Sequence, residues 1–151
     1  MRLSAIICAK NESDFIGGCI ERLLPFVDQI VVVDNGSTDD TKAIASRYPV
    51  ELYDYPETND MSAVRNFSLS KARGEWFIQV DPDEWYPDSE MRKVREFIET
   101  ADENGYISAR VRYKNLAWRS GFAQKDFGHY PDRLYRRDVV EGYRGVLPVD
   151  M

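Results

Sequence analysis

At 151 residues and a net charge of −6, the chain is long enough for one domain with a real core and too short to argue for two. Its balance of 43% hydrophobic and 30% charged residues is that of an ordinary globular protein, and the negative charge argues against nucleic acid as a partner. No apolar run approaches the roughly 20 residues of a membrane span, which leaves only peripheral membrane contact open. The N-terminal stretch breaks at Lys10-Asn11-Glu12 without a signal peptide's cleavage site, so it reads as a first strand. Cys8 and Cys19 have neither zinc-ligand spacing nor the density of a disulfide framework. A reducing cytoplasm is the expected setting.

Charge is unevenly spread. Residues 1–103 carry a net −10 and residues 104–151 a net +4. An acidic first part binds a phosphate ligand only with a cation between them.

In chain order, residues 2–8 read as a strand, followed by a polar turn in which Ser13 or Asp14 caps a helix. That helix carries Phe15, Ile16, Cys19, Ile20, Leu23 and Leu24 at helical spacing. Residues 29–34 are a near-continuous β-branched run, as in a strand buried on both faces of a parallel sheet. A turn at Asn35-Gly36-Ser37-Thr38 leads into a short helix, with Ser37 to Asp40 read as its cap. Strands are expected over 50–54 and 75–81, and helices over 60–71 and 90–101. Beyond Gly105 the pattern changes to a long strand over 106–113, an irregular stretch over 114–131 and a strand over 133–136. The βα alternation implies an α/β sandwich with a mostly parallel central sheet and right-handed crossovers, within a single domain over 1–151.

Ligands bind at the carboxyl ends of strands in such sheets, and the polar clusters fall there. Lys10-Asn11-Glu12 follows the first strand, Asp34-Asn35 the second, and Asp81-Pro82-Asp83-Glu84 the fourth. In an extended chain Asp81 and Asp83 point the same way, and Pro82 biases Asp81 toward that geometry. Two carboxylates about 4 Å apart repel by roughly 1–4 kcal/mol. A divalent cation with hard oxygen ligands, Mg²⁺ or Mn²⁺, relieves that repulsion. The alternative is a solvated acidic turn with Asp83 or Glu84 capping the next helix.

Asp34 ends an apolar strand, where an unpaired carboxylate is costly unless it meets water or a ligand; it serves either a nucleobase or ribose, or an Asx turn. Arg65 either donates to a base or diphosphate or pairs with a nearby acid. Arg133-Leu134-Tyr135-Arg136-Arg137 either holds an anion or is a charged edge strand. His129, with no partner motif, reads as structural. Trp76, Trp85 and Trp118 read as packing residues more readily than as sugar platforms.

The chain resembles the family two glycosyltransferases with the GT-A fold, in particular the bacterial branch that adds glucose-like units to lipopolysaccharide core. The matching stretches are residues 7–12, 31–39, 63–66, 74–84 and 133–137, in the family's order. The resemblance implies a Rossmann-like fold and a nucleotide-sugar donor, with a UDP-sugar favoured. It implies a saccharide or other hydroxyl acceptor and inverting, metal-assisted transfer. Lys10, Asn11 and Glu12 would border the nucleotide pocket, Asp34 would contact the base, and Arg65 would reach the base or diphosphate. Asp81 and Asp83 would form the Asp-x-Asp element, with Asp83 the more direct metal ligand. The sequence departs from the pattern after the basic strand: Gly145-Val146-Leu147-Pro148-Val149-Asp150 stands where relatives end a stretch in Val-His-Glu. Asp150 is then the positional candidate for the general base, with Asp126, Asp132 and Glu141 behind it. The domain is accordingly expected to be short or truncated at its C-terminus.

Three competing readings remain at this point. A nucleotidyltransferase calls for a glycine-rich loop after the first strand, which Ala9-Lys10-Asn11-Glu12-Ser13 lacks. An Asp-x-Asp phosphatase places its motif after the first strand rather than the fourth. A non-catalytic nucleotide-sugar-binding or scaffold protein accounts for the missing Val-His-Glu.

Overall fold

The computed structural model describes residues 1–116 and 132–144. β1 (Leu3–Ala9) is buried along its whole length. It is followed by α1 (Ile16–Leu23), which buries Ile16, Cys19, Ile20 and Leu23 at spacings of one helical face. β2 (Gln29–Asp34) is again buried throughout; a strand covered on both faces must be apolar on both, which is why these runs do not alternate. α2 (Thr41–Ala45), β3 (Glu51–Asp54), α3 (Met61–Lys71) and β4 (Trp76–Val80) follow. The short β5 (Glu84–Trp85) precedes α4 (Asp88–Thr100), and then come β6 (Ser108–Arg110), β7 (Lys114–Asn115) and β8 (Asp132–Arg136).

The main sheet has the order β3-β2-β1-β4-β8-β6. Its first four strands are parallel, while β8 pairs antiparallel with both β4 and β6. β5 and β7 form a separate antiparallel ladder. The chain steps outward from β1 to β3 and then returns past β1 to β4. The carboxyl ends of β1 and β4 therefore flank a topological switch point, where open parallel sheets leave a crevice.

Three layers result. Side chains of α1, Ala45 of α2 and Met91, Val94 and Ile98 of α4 cover one sheet face together with Ile7, Val32, Ile78 and Val80. Val64 of α3 covers the other with Ile6, Val31, Val33 and Phe77. The expected α/β sandwich with a mostly parallel sheet is observed.

Several expected details change. Phe15 occupies the N-cap of α1 with no side-chain bond, so neither Ser13 nor Asp14 caps it. α4 begins after Pro87, also without a side-chain cap, so neither Asp83 nor Glu84 serves there. Asp40 precedes α2 without capping it; Asp39 Oδ1 accepts the Thr41 N–H instead, at 2.9 Å. The expected helix from residue 60 starts at Met61, because Asp60 is its cap and accepts the Ala63 N–H at 3.2 Å. The long strand over 106–113 shortens to three residues, with a register shift between Ala109 and Arg110. The irregular stretch contains β7, which pairs with β5.

At the opposite end of the sheet from the crevice, Gly74 passes so close to β1 that a Cβ would lie 2.7 Å from Ser4 N and from Trp76 O. Its N–H donates to Ser4 Oγ at 2.8 Å. Gly74→Ala is expected to destabilise the fold by about 1–3 kcal/mol through overpacking, read as a lower urea midpoint.

Candidate functional site

Two loops at the carboxyl edge are knitted together. Asn11, with φ of +54°, accepts the Thr38 N–H on Oδ1 at 2.8 Å, while its own N–H donates to Ser37 Oγ at 2.9 Å. The Glu12 N–H donates to Thr41 Oγ1 at 2.8 Å and the Ser13 N–H to Asp39 Oδ2 at 3.2 Å. Asn11 therefore spends its side chain on shaping the loop after β2. Lys10 pairs with Glu57. The Asp39 carboxyl is held down at about 2, chiefly by the Thr41 hydroxyl. A depressed carboxylate contributes stability above its unfolded value near 4 that is lost as pH falls through the folded one. Asp39→Asn is thus expected to lower the urea midpoint at pH 7, with the difference from wild type shrinking as pH falls from about 4 toward about 2.

Asp34 closes β2 and is 2% exposed. Its Oδ2 accepts the Ser37 N–H at 3.0 Å, which is the Asx-type turn, while Oδ1 is buried with no partner. The Asx turn thus occupies one oxygen of Asp34 and leaves the other unbonded. The carboxylate lies in a cleft of about 480 Å³ lined also by Gly36, Ser37, Lys42, Tyr55 and Glu57.

Two strands away, at the end of β4, Asp81 is flanked by two guanidinium groups. Arg65 Nη2 is 3.9 Å from Oδ1 and Arg133 Nη2 is 3.5 Å from Oδ2. Asp83 has its carboxyl raised above the usual range by burial and by the Asp81 charge. Glu12 faces the same pair: burial, then Asp83 and Asp81, push its carboxyl up to about 7. Glu12 is thereby brought within electrostatic reach of Asp81 and Asp83, although three strands separate it from them in sequence. Among the described residues no three acidic, cysteine or histidine side chains make a cage that holds a metal by itself. Magnesium commonly binds through one or two carboxylates with substrate phosphate oxygens completing its shell. Asp83, which accepts a hydrogen bond from the Asn115 side chain and forms no ion pair with an arginine among the described residues, suits that arrangement better than Asp81.

The basic strand divides its roles. Leu134 is buried in the core, Tyr135 stacks on Phe77 at 5.4 Å between centroids, and Arg136 pairs with Asp138. Arg137 lies in a 3-10 turn rather than in the strand. Arg133 turns inward, 15% exposed, with Nη2 2.5 Å from Glu84 Oε1 and its guanidinium over the Tyr113 ring. Glu84 is 3% exposed and also accepts the Tyr86 hydroxyl at 2.9 Å and the Asp81 N–H at 3.1 Å. The edge-strand reading does not hold, because β8 is paired on both sides, between β4 and β6, and the strand contributes one arginine to a buried network. Sequence reasoning missed that Glu84–Arg133 pair, and also Gln79, Asn66 and Tyr143; the one available signal was a glutamine inside an otherwise apolar strand.

Of the base candidates, Asp150 and Asp126 lie outside the described residues, as do His129 and Trp118. Asp132 accepts the Ser108 hydroxyl at 2.9 Å, and Glu141 pairs with Arg144 at 2.6 Å. Trp76 is fully buried in the core. Trp85 lies beneath Lys114, 5.1 Å from centroid to Nζ. No helix among the described residues is long and apolar enough to cross a membrane.

Residues 4–144 match the model of Glycosyl transferase family 2, and the chain belongs to that family. The lipopolysaccharide core biosynthesis glycosyltransferase LpsC of Rhizobium meliloti is 32% identical over 117 residues, covering 74% of this chain and 43% of that protein. A solved structure of glucosyl-3-phosphoglycerate synthase from Mycobacterium tuberculosis, with Mn²⁺, UDP and phosphoglyceric acid, is similar at a TM-score of 0.50 and 26% identity. It covers 55% of this chain and 33% of its own. Staphylococcus aureus TarS 1–349 in complex with UDP matches at a TM-score of 0.67 and 21% identity, over 91% of this chain and 47% of that one. The fold is of the GT-A type. The chain spans less than half the length of each of these relatives.

Proposed function

We propose that the chain binds a nucleoside-diphosphate sugar, with UDP as the carrier, and supports inverting transfer of the sugar to an acceptor hydroxyl. The observation that carries this reading is the buried, unpartnered Asp34 Oδ1 in a cleft two strands from Asp81 and Asp83. Strands lie about 4.8 Å apart, so the two sites are separated by roughly 10 Å, a span on the scale of a nucleoside. An orphaned carboxylate oxygen accepts an N–H from a base or a hydroxyl from ribose without further desolvation. Family membership and the bound UDP of the glucosyl-3-phosphoglycerate synthase structure support the same reading.

In this scheme Asp34 orients the nucleoside, with Lys10, Asn11 and Glu12 shaping the rim. Arg65 addresses the diphosphate, and Arg133 holds Asp81 and Glu84 so that the loop carrying Asp83 is fixed. A divalent Mn²⁺ or Mg²⁺, held by Asp83 with Asp81 beside it, would supply charge neutralisation to the departing diphosphate. Inversion requires one general base to take the acceptor's proton; we assign that role to Asp150 by its position in the chain. The acceptor is a saccharide or another hydroxyl compound, and peripheral membrane contact and a cytoplasmic setting are compatible with it.

Calorimetric titration of UDP, GDP and dTDP, with Mn²⁺, with Mg²⁺ and with EDTA, tests the donor site. Metal-dependent binding of UDP, weakened about ten- to a hundredfold in Asp34→Ala through loss of a charged hydrogen bond, is expected. Absence of binding by folded protein, for all three nucleotides, would overturn the proposal. Binding without any turnover of UDP-sugars would favour the scaffold reading.

A further inference from the structure

The segment from Glu141 to Arg144 is hydrogen-bonded to α3 through one exposed side chain, Asn66. Asn66 accepts the Tyr143 N–H on Oδ1 at 2.6 Å and donates Nδ2 to the Tyr143 carbonyl at 2.9 Å. One amide thereby satisfies both backbone groups of a residue 77 positions away. Gly142 permits the approach: its φ is +134°, and a Cβ there would lie 2.9 Å from Asn66 Oδ1. At its other end the Tyr143 hydroxyl donates to Gln79 Oε1 at 2.9 Å, and Gln79 is 2% exposed. The ring is thus held at backbone and tip.

The Arg65 guanidinium lies against that ring, 5.7 Å from its centroid. Its other charge contact among the described residues is the long 3.9 Å pair with Asp81, and its buried Nε has no partner among them. A guanidinium with five donors and so few of them engaged has capacity left for an anion. Its direction is set by the ring and by Asp81, not by hydrogen bonds of its own.

We infer that Asn66 is a positioning residue: by gripping the Tyr143 backbone it holds the ring against Arg65 and aims the guanidinium at the donor's diphosphate. This rests on the donor-site reading. Asn66 is exposed and contributes nothing to the buried core, so its effect is expected to be separable from folding. It touches neither donor nor metal, and acts only through Tyr143.

The test titrates UDP with Mn²⁺ into wild type, Asn66→Ala, Tyr143→Ala and the double variant, with uridine followed in parallel by NMR. Asn66→Ala is expected to weaken UDP about five- to tenfold, the scale of losing a partly buried cation–π contact. Uridine affinity should be unchanged, because the nucleoside does not reach Arg65. The double variant should bind UDP no more weakly than Tyr143→Ala alone. Unchanged UDP affinity in Asn66→Ala, an equal loss for uridine and UDP, or additive losses in the double variant would each overturn this inference alone. Failure of wild type to bind UDP would overturn the donor reading and the inference together.

Discussion

Asp83→Ala is expected to reduce sugar turnover by about three orders of magnitude, because the metal's stabilisation of a leaving diphosphate is worth several kcal/mol and each 1.36 kcal/mol is about tenfold in rate. The same substitution should leave the urea midpoint unchanged or raise it. In the metal-free chain burial and the neighbouring Asp81 charge disfavour the Asp83 carboxylate more than its hydrogen bond from Asn115 and the Arg133 charge favour it, so deleting it removes a net repulsion. Steady-state turnover of UDP-sugars and urea denaturation in EDTA, measured on the same preparations, check both halves. A destabilised Asp83→Ala would mean that the residue is structural, and retained turnover would remove it from the metal site.

Arg133→Met should have the largest effect on stability, about 3–5 kcal/mol. The substitution leaves Glu84, 3% exposed, without the guanidinium 2.5 Å away, and deprives Asp81 of one of its two flanking cations. A buried charge stripped of its partner costs far more than the pair contributes when intact. Adding Glu84→Gln to Arg133→Met should therefore recover a substantial part of the loss, since the amide keeps acceptor capacity for the Tyr86 hydroxyl and the Asp81 N–H without the charge. Urea midpoints of the two single variants and the double variant give the coupling directly. A loss below about 1 kcal/mol in Arg133→Met would show that the network is solvated and weak.

Much of the fold was legible in the chain because its signals are local. The unbroken runs in β1 and β2 announce burial on both faces, the spacing of Ile16, Cys19, Ile20 and Leu23 announces one buried helical face, and βα alternation leaves few topologies. Helix starts were less legible, because caps compete. Ser13, Asp14, Ser37 and Asp40 all satisfy the pattern, yet Asp39 and Asp60 bond the first turns. The short strands were poorly legible too: β7 exists only because β5 lies beside it, and no local preference encodes a two-residue ladder.

At the site, chain order is enough to say which groups gather at one edge. Asp34, Asp81 and Asp83 follow strands that run in the same direction, and a parallel sheet carries every strand's end to the same side. The sequence also carries membership of the family, whose model matches residues 4–144. Which of those carboxylates is engaged depends on the folded arrangement. Asp81 lies between Arg65 and Arg133, Glu84 is buried against Arg133, and one oxygen of Asp34 is left without a partner. Arg133 follows Glu84 by 49 positions, and Tyr143 follows Asn66 by 77. Coulomb attraction and hydrogen bonding depend on distances of a few ångströms, and for residues so far apart in the chain those distances exist only once the sheet has closed around them.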